Sequence, residues 1–249
     1  MNFPTTLVHS VPKSGTHLLG NIISNLPCAP KIDEEHCWIN IDNYRELDQR
    51  RNEILFTHLP RLSEIEKTIN ESGVKHIFIS RDPRDLVVSL YYYILNVDHD
   101  NGLYPYLKAL KNKSEQINAI ITGVKLSAED QKKYNSTESL NFSKEFSPIY
   151  SWRNAENLLI IQYEELMNEK TKDKILYQIL EYYEPYLKHK KDEMILEKLR
   201  NSVTEKLWIF RKGTTGQWKS EFNLENKTIF KSVAGELLIE LSYEKDMDW

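Results

Sequence analysis

Residues 5–23 read "TTLVHSVPKSGTHLLGNII". TTLVHSV (5–11) is a short β-rich run, and a turn of small polar residues around Gly15 follows it. Leu18, Leu19, Ile22 and Ile23 then recur at helical spacing, which predicts a helix over 16–25. Strand, tight turn and helix together suit a bound anion, because backbone N–H groups at a helix N-terminus point outward and carry partial positive charge. Gly15 lets the backbone approach a ligand, and Ser14 and Thr16 add hydroxyls. Lys13 stands before the glycine, whereas the familiar GxxxxGK[ST] loop has its lysine after one. A plain turn with an N-cap explains Ser-Gly-Thr equally well without a ligand.

Further along the chain, EILFTHL (53–59), VKHIFIS (74–80) and NLLIIQY (157–163) read as strands. The last is almost continuously apolar, as a buried parallel strand should be. LSEIEKTINES (62–72) is helical and stops at Gly73. DPRDLVVSLYYYILNV (82–97) is a helix with Pro83 in its first turn, where proline is tolerated. Helices are also expected over 164–183, 189–200 and 227–241. This alternation predicts an α/β fold, a three-layer sandwich with a central, mostly parallel sheet and helices on both faces. Residues 98–147, rich in Asn, Lys, Ser and Glu, break the rhythm. They are expected as a partly helical insertion or lid over the sheet edge, within a single domain spanning 1–249.

Lys and Arg number 33 against 37 Asp and Glu, a net charge of −4, which argues against broad binding to nucleic acid or anionic membrane but leaves room for a local cationic pocket. The two cysteines, Cys28 and Cys37, make no disulfide scaffold, and with His36 they match no zinc spacing. No apolar run approaches the ~20 residues that span a bilayer. MNFPTTLVHS lacks the features of a secretion signal, so a cytoplasmic protein is expected.

Two more segments suit anions. SRDPRDLVVS (80–89) puts Arg81 at the carboxyl end of a strand, where ligands bind in open α/β sheets. Arg81 and Arg84 together suit a phosphate, although Asp82 and Asp85 are equally placed to pair with the arginines. FRKGTTGQWKSEF (210–222) holds two glycines and three cations with no helical period, as a loop wrapping an anion would.

Taken together, these segments resemble the sulfotransferases that use 3′-phosphoadenosine 5′-phosphosulfate (PAPS) and release PAP. That family's motifs read like YPKSGTTW, KTHLP, RNPKDVAVS, YEDL and RKGxxGDWKxxF. This chain has VPKSGTHL, FTHLP (56–60), RDPRDLVVS, QYEEL (162–166) and RKGTTGQWKSEF, in the family's order from residue 11 to residue 222. The resemblance implies a P-loop-like fold and in-line transfer of a sulfonyl group to an acceptor hydroxyl or amine, with no metal required. It makes His58 the general base and Lys13 the cation that stabilises the leaving phosphate. Ser14, Gly15, Thr16 and the N–H groups of His17 and Leu18 would hold the 5′-phosphosulfate. Arg81, Ser89, Arg211, Lys212 and Gly213 would hold the 3′-phosphate. Tyr163 would face the adenine, as would Trp208 and Phe210 with less motif support.

Four departures from the pattern stand out. Phe56 replaces a lysine that helps at the sulfonate in many members, so the chemistry leans harder on Lys13. His17 and Leu18 replace a threonine and an adenine-stacking tryptophan, and Gln217 replaces an aspartate. His17 rivals His58 as base, and so do Asp33, Glu34 and Glu35 of KIDEEH (31–36), which otherwise read as a solvated charge run. Competing readings are a P-loop small-molecule kinase, which lacks its lysine after the glycine, and a non-catalytic PAP- or nucleotide-binding module. The acceptor stays open among small phenols, alcohols, saccharides, lipids and carrier-bound intermediates, and so does the oligomeric state.

Overall fold

The computed structural model describes residues 3–125, 127–134, 140–187, 193–204 and 213–249. Five parallel strands form one sheet in the order β2-β3-β1-β4-β5, with β1 Thr6–Ser10, β2 Trp38–Ile39, β3 Ile54–Thr57, β4 Lys75–Ser80 and β5 Leu159–Gln162. The chain leaves β1 toward β3 and β2, then returns to the other side of β1 for β4 and β5. In an open sheet, ligands bind where the order reverses in this way, outside the carboxyl ends of the strands. Register carries the anion-suited segments to that edge: His9 pairs with Thr57 and Phe78, Ser10 with Ile79, and Ser80 with Gln162.

The chain divides into two compact units, 1–81 with 148–214, and 82–147 with 215–249. The first holds the sheet. Its helices α1 (Thr16–Ser24), Lys172–Tyr183 and Glu193–Thr204 share a buried core with Val8, Phe56, Ile77, Ile79 and Ile161, which all point to one sheet face. Leu18, Leu19, Ile22 and Ile23 of α1 are all in it, and each such side chain taken from water contributes about 1.5–3 kcal/mol. Helix α2 (Ser63–Ser72) ends at Gly73 in the left-handed conformation, as its sequence predicts. The second unit holds α3 (Pro83–Asn96), with Pro83 in its first turn and the Asp82 side chain accepting from the Arg84 N–H at its N-cap. Within residues 98–147 the chain forms helices Tyr104–Ala109, Lys113–Thr122 and Ala128–Tyr134 and the start of Phe142–Tyr150.

Three expectations need correction. The helix expected over 164–183 is two, Tyr163–Met167 and Lys172–Tyr183, because Asn168 turns the chain between them by accepting the Lys170 N–H on its side chain. Tyr163 therefore opens a helix and is not the end of β5. The last helix runs Leu224–Glu240, started three residues early by a capping box between Asn223 and Asn226. The 210–222 segment is not all loop, since Trp218–Glu221 forms one helical turn. Among the described residues no helix is long and apolar enough to cross a membrane.

Candidate active site

The turn after β1 is built around two left-handed residues, Lys13 with φ 67° and Gly15 with φ 102°. Gly15 is the N-cap of α1, and no side chain caps the helix. The N-terminal N–H groups of α1 therefore lack the side-chain partner that an ordinary Ser or Thr cap supplies. Ser14 is fully buried, and its Oγ meets no partner among the described residues. A buried hydroxyl is normally satisfied, so an orphan beside an uncapped helix end suits an oxyanion. The capped-turn alternative is not what forms here. Thr16 serves differently: its Oγ1 lies 2.5 Å from the Ser10 Oγ.

Gly15 has no room for a side chain. A Cβ there would sit 2.9 Å from the Tyr163 ring and 3.3 Å from Ile79. Gly15→Ala combines that clash with a conformation that L-residues avoid, at a cost of about 1–3 kcal/mol. Thermal unfolding of this variant is expected to fall by about 2–4 °C for each kcal/mol, and an unchanged Tm would mean that the turn relaxes freely.

Tyr163 is 4% exposed, with its ring against Gly15 and the Arg81 guanidinium 4.6 Å above the ring centre. Arg81 in turn donates to the carbonyls of Lys13 at 3.3 Å and Thr214 at 3.1 Å. Segments 68 and 133 residues from Arg81 are thus drawn to one guanidinium. Gly213, next to Thr214, is also left-handed, with φ 62°. Arg211 and Lys212, together with Trp208 and Phe210, lie outside the described residues. Ser89 is a half-buried residue of α3 in the second unit.

His58 follows β3 directly. Its Nδ1 lies 2.7 Å from the Ser10 carbonyl, which only accepts, so Nδ1 carries the proton and donates. The neutral ring then holds its lone pair on Nε2. The Ser10 Oγ, 3.2 Å from the same Nδ1, links His58 through Thr16 to the turn at Gly15. Burial is the main influence on His58 and pushes its pKa down to about 4; the Ser10 carbonyl opposes this, and His17 and Lys13 add to it. His17 is lowered by burial and by Lys13.

An aromatic group lies beside His58. The His58 and Trp38 rings are 5.0 Å apart, His17 and Phe56 5.0 Å, and Trp38 and Phe56 5.5 Å. Trp38, on the two-residue strand β2 that no periodicity signals, is 38% exposed. Phe56 does not extend to the site as a lysine would. It is fully buried, and a Cβ on Gly20 would meet its ring at 2.5 Å, so helix α1 uses that glycine to lie on the ring. Asp33 pairs on the surface with His36, and Glu34 and Glu35 are exposed, in line with a solvated run.

In the second unit the remaining charges of RDPRD serve structure. Arg84 binds Asp82 through Nε at 3.0 Å and Nη2 at 2.8 Å, also pairs with Glu244, and sits 3.8 Å from the Trp218 ring and 4.6 Å from that of Trp249. Asp85 accepts from the backbone N–H of Gly216 at 2.6 Å and of Trp218 at 2.9 Å, which pins the end of the GTTGQW loop. Arg84 is therefore withdrawn from phosphate binding, as the pairing alternative anticipates.

Comparison with known proteins gives the family and the fold. The family model described as "Sulfotransferase domain" matches residues 3–242. Sulfotransferase 2A1 of Homo sapiens is 25% identical over 96% of this chain and 85% of its own length. The 3-beta-hydroxysteroid sulfotransferase of Cavia porcellus is 25% identical over 93% and 82%. Among solved structures, mouse sulfotransferase SULT7A1 complexed with PAP matches with a TM-score of 0.62 and 20% identity over 94% of this chain and 84% of that one. Retinol dehydratase in a complex with retinol and PAP matches with a TM-score of 0.55 and 13% identity over 96% and 82%.

Proposed function

This chain belongs to the PAPS-dependent sulfotransferase family and is an enzyme of sulfonyl transfer, and we propose that His58 takes the acceptor's proton while Lys13 steadies the charge left on the departing phosphate. PAPS, when bound, supplies the sulfonyl group and leaves as PAP. The observation that carries the reading is the 2.7 Å approach of the His58 Nδ1 to the Ser10 carbonyl: a carbonyl only accepts, so Nδ1 carries the proton and the lone pair is left on Nε2. A hydroxyl or amine attacking sulfur must lose a proton, and Nε2 receives it. The electron pair of the breaking bond goes to the phosphate oxygen, where Lys13 and the uncapped N-terminus of α1 meet the growing charge. Ser14, Gly15, Thr16, His17 and Leu18 hold the 5′ side of the nucleotide. Arg81, with Arg211, Lys212 and Gly213, binds the 3′-phosphate. Tyr163 backs Gly15 and Arg81 and keeps both loops in place.

The acceptor is a small apolar alcohol or phenol. Trp38 presents a partly exposed indole 5.0 Å from the His58 ring, a flat surface suited to a flat apolar molecule. Relatives named for hydroxysteroids, and a structural neighbour holding retinol, accord with that class. The test is transfer of label from PAPS to a panel of hydroxysteroids, phenols, saccharides and amines. Label is expected in the first two, and Trp38→Ala should raise the acceptor KM with PAP affinity intact. Label in saccharides or amines alone would overturn the acceptor class, and near-native turnover of His58→Ala on a labelled acceptor would overturn the assignment of the base.

A further inference from the structure

His9 of β1 and His76 of β4, 0% and 3% exposed, sit on the sheet face away from α1. The His9 Nε2 lies 2.8 Å from the Leu59 carbonyl, an acceptor only, so Nε2 carries the His9 proton and donates it there. The neutral ring then accepts at Nδ1, and the His76 Nε2, 3.2 Å away, is the donor. The indole Nε1 of Trp152 donates to the same Leu59 carbonyl at 3.0 Å. The three rings pack closely, His9 on Trp152 at 4.8 Å and His76 on Trp152 at 5.0 Å. Burial holds both histidines neutral, His76 down to about 3 and His9 well below its ordinary range. Two imidazoles under a sheet cost more than the valine or isoleucine that a buried strand usually carries, unless their hydrogen bonds are needed. Both lines of bonds end on one atom, the carbonyl of the residue that follows His58.

We propose that His9, oriented by His76 and joined by Trp152, is a positioning unit for His58. Two donors fix the Leu59 carbonyl, and with it the backbone from which the His58 ring projects, so that Nδ1 meets Ser10 and Nε2 is left for the acceptor's proton. This rests on the reading of His58 as the base. None of the three residues touches the reacting atoms in this scheme. Their effect is on turnover, not on binding.

The full chain is assayed with three variants. His9→Phe keeps the ring's bulk and removes both of its hydrogen bonds, Trp152→Phe removes one donor and leaves the histidine pair, and His9→Gln keeps a donor for Leu59. His9→Phe is expected to lower kcat about 10²-fold, the scale of a 1 Å misplacement. Trp152→Phe should lower it about tenfold, the loss of one hydrogen bond. His9→Gln should recover most of the loss. PAP affinity and acceptor KM should stay within about twofold, and in a His58→Ala background the added His9→Phe should change residual turnover by less than about twofold. Wild-type kcat in folded His9→Phe and Trp152→Phe overturns the proposal. So does an equal loss in the His58→Ala background, or PAP affinity falling in step with kcat. Should His9→Phe not fold, Trp152→Phe carries the same test. Failure of the base assignment looks different, as near-native turnover of His58→Ala alone. In that event the ¹⁵N resonance of the His58 Nδ1–H reads the positioning directly: a shift in Trp152→Phe upholds it and an unchanged line overturns it.

Discussion

Replacing His58 with alanine lowers turnover by about 10²–10⁴-fold while PAP binds as before. The ring's one proton is committed to the Ser10 carbonyl at 2.7 Å, so the variant gives up a preset Nε2 acceptor and leaves the anion turn's backbone untouched. The pH dependence follows from the direction of the pKa shift. Burial lowers His58 to about 4, against about 6.5 for an exposed histidine. Between those values the unfolded chain binds more protons than the native one. The contribution to stability is therefore full above about 6.5 and is lost as pH falls toward about 4. With His58 as the proposed base, neutral throughout the physiological range, the acid limb of kcat/KM for the nucleotide is expected well below pH 6. A bound dianion offsets the charge of Lys13, which raises the imidazole pKa, so the limb of kcat lies at higher pH than that of kcat/KM. Coincident limbs near pH 6.5 would move the base to an exposed group, and near-native turnover of His58→Ala would move it to His17 or a carboxylate.

The elements legible in the sequence are those whose signal is local. Leu18, Leu19, Ile22 and Ile23 announce α1 by spacing, Gly73 announces the end of α2, and the small polar residues around Gly15 announce a tight turn. What is illegible depends on the meeting of distant segments. Phe56 reads as a missing lysine until Gly20 is seen lying on its ring. Trp38 belongs to a strand of two residues, too short for any alternation to show. His9 and His76 stand 67 residues apart, and only the pairing of β1 with β4 makes them partners. Ser10 is an ordinary strand residue in the sequence, yet it ties His58 to Thr16 beside the turn at Gly15. The alternatives for RDPRD, phosphate binding or internal pairing, divide between its members: Arg84 and Asp85 are engaged inside the second unit, whereas Arg81 lies against Lys13 and Thr214 in the first.

PAP is expected to stabilise the protein strongly, and ATP at the same concentration only weakly, with or without magnesium. The motivation is the number of cations available to a second, remote phosphate: Arg81, Arg211 and Lys212, beyond what a 5′ chain requires. Each charge-assisted hydrogen bond contributes about 1.5–3 kcal/mol. ADP and ATP have no 3′-phosphate, and forgoing a single bond of that kind already separates the affinities by about 10- to 150-fold, before the cost of leaving a cation unpaired. A ligand at about 100 times its dissociation constant stabilises the fold by roughly 2.7 kcal/mol, or about 5–10 °C of Tm for a chain of this size. Thermal unfolding with PAP, ADP and ATP, each with magnesium and with a chelator, reads the order directly. Arg81→Ala combined with Arg211→Ala should erase the margin of PAP over ADP. Arg81 also bridges Lys13 and Thr214, so Arg211→Ala alone separates lost charge from a loosened loop, and it should narrow the margin with the melting of the free protein unchanged. The lysine that serves the β- and γ-phosphates with magnesium in triphosphate enzymes has no counterpart directly after Gly15, where Thr16 stands. If ATP with magnesium nevertheless stabilises the protein as well as PAP does, Arg81, Arg211 and Lys212 do not select a 3′-phosphate, and the turn at Gly15 serves an ordinary triphosphate.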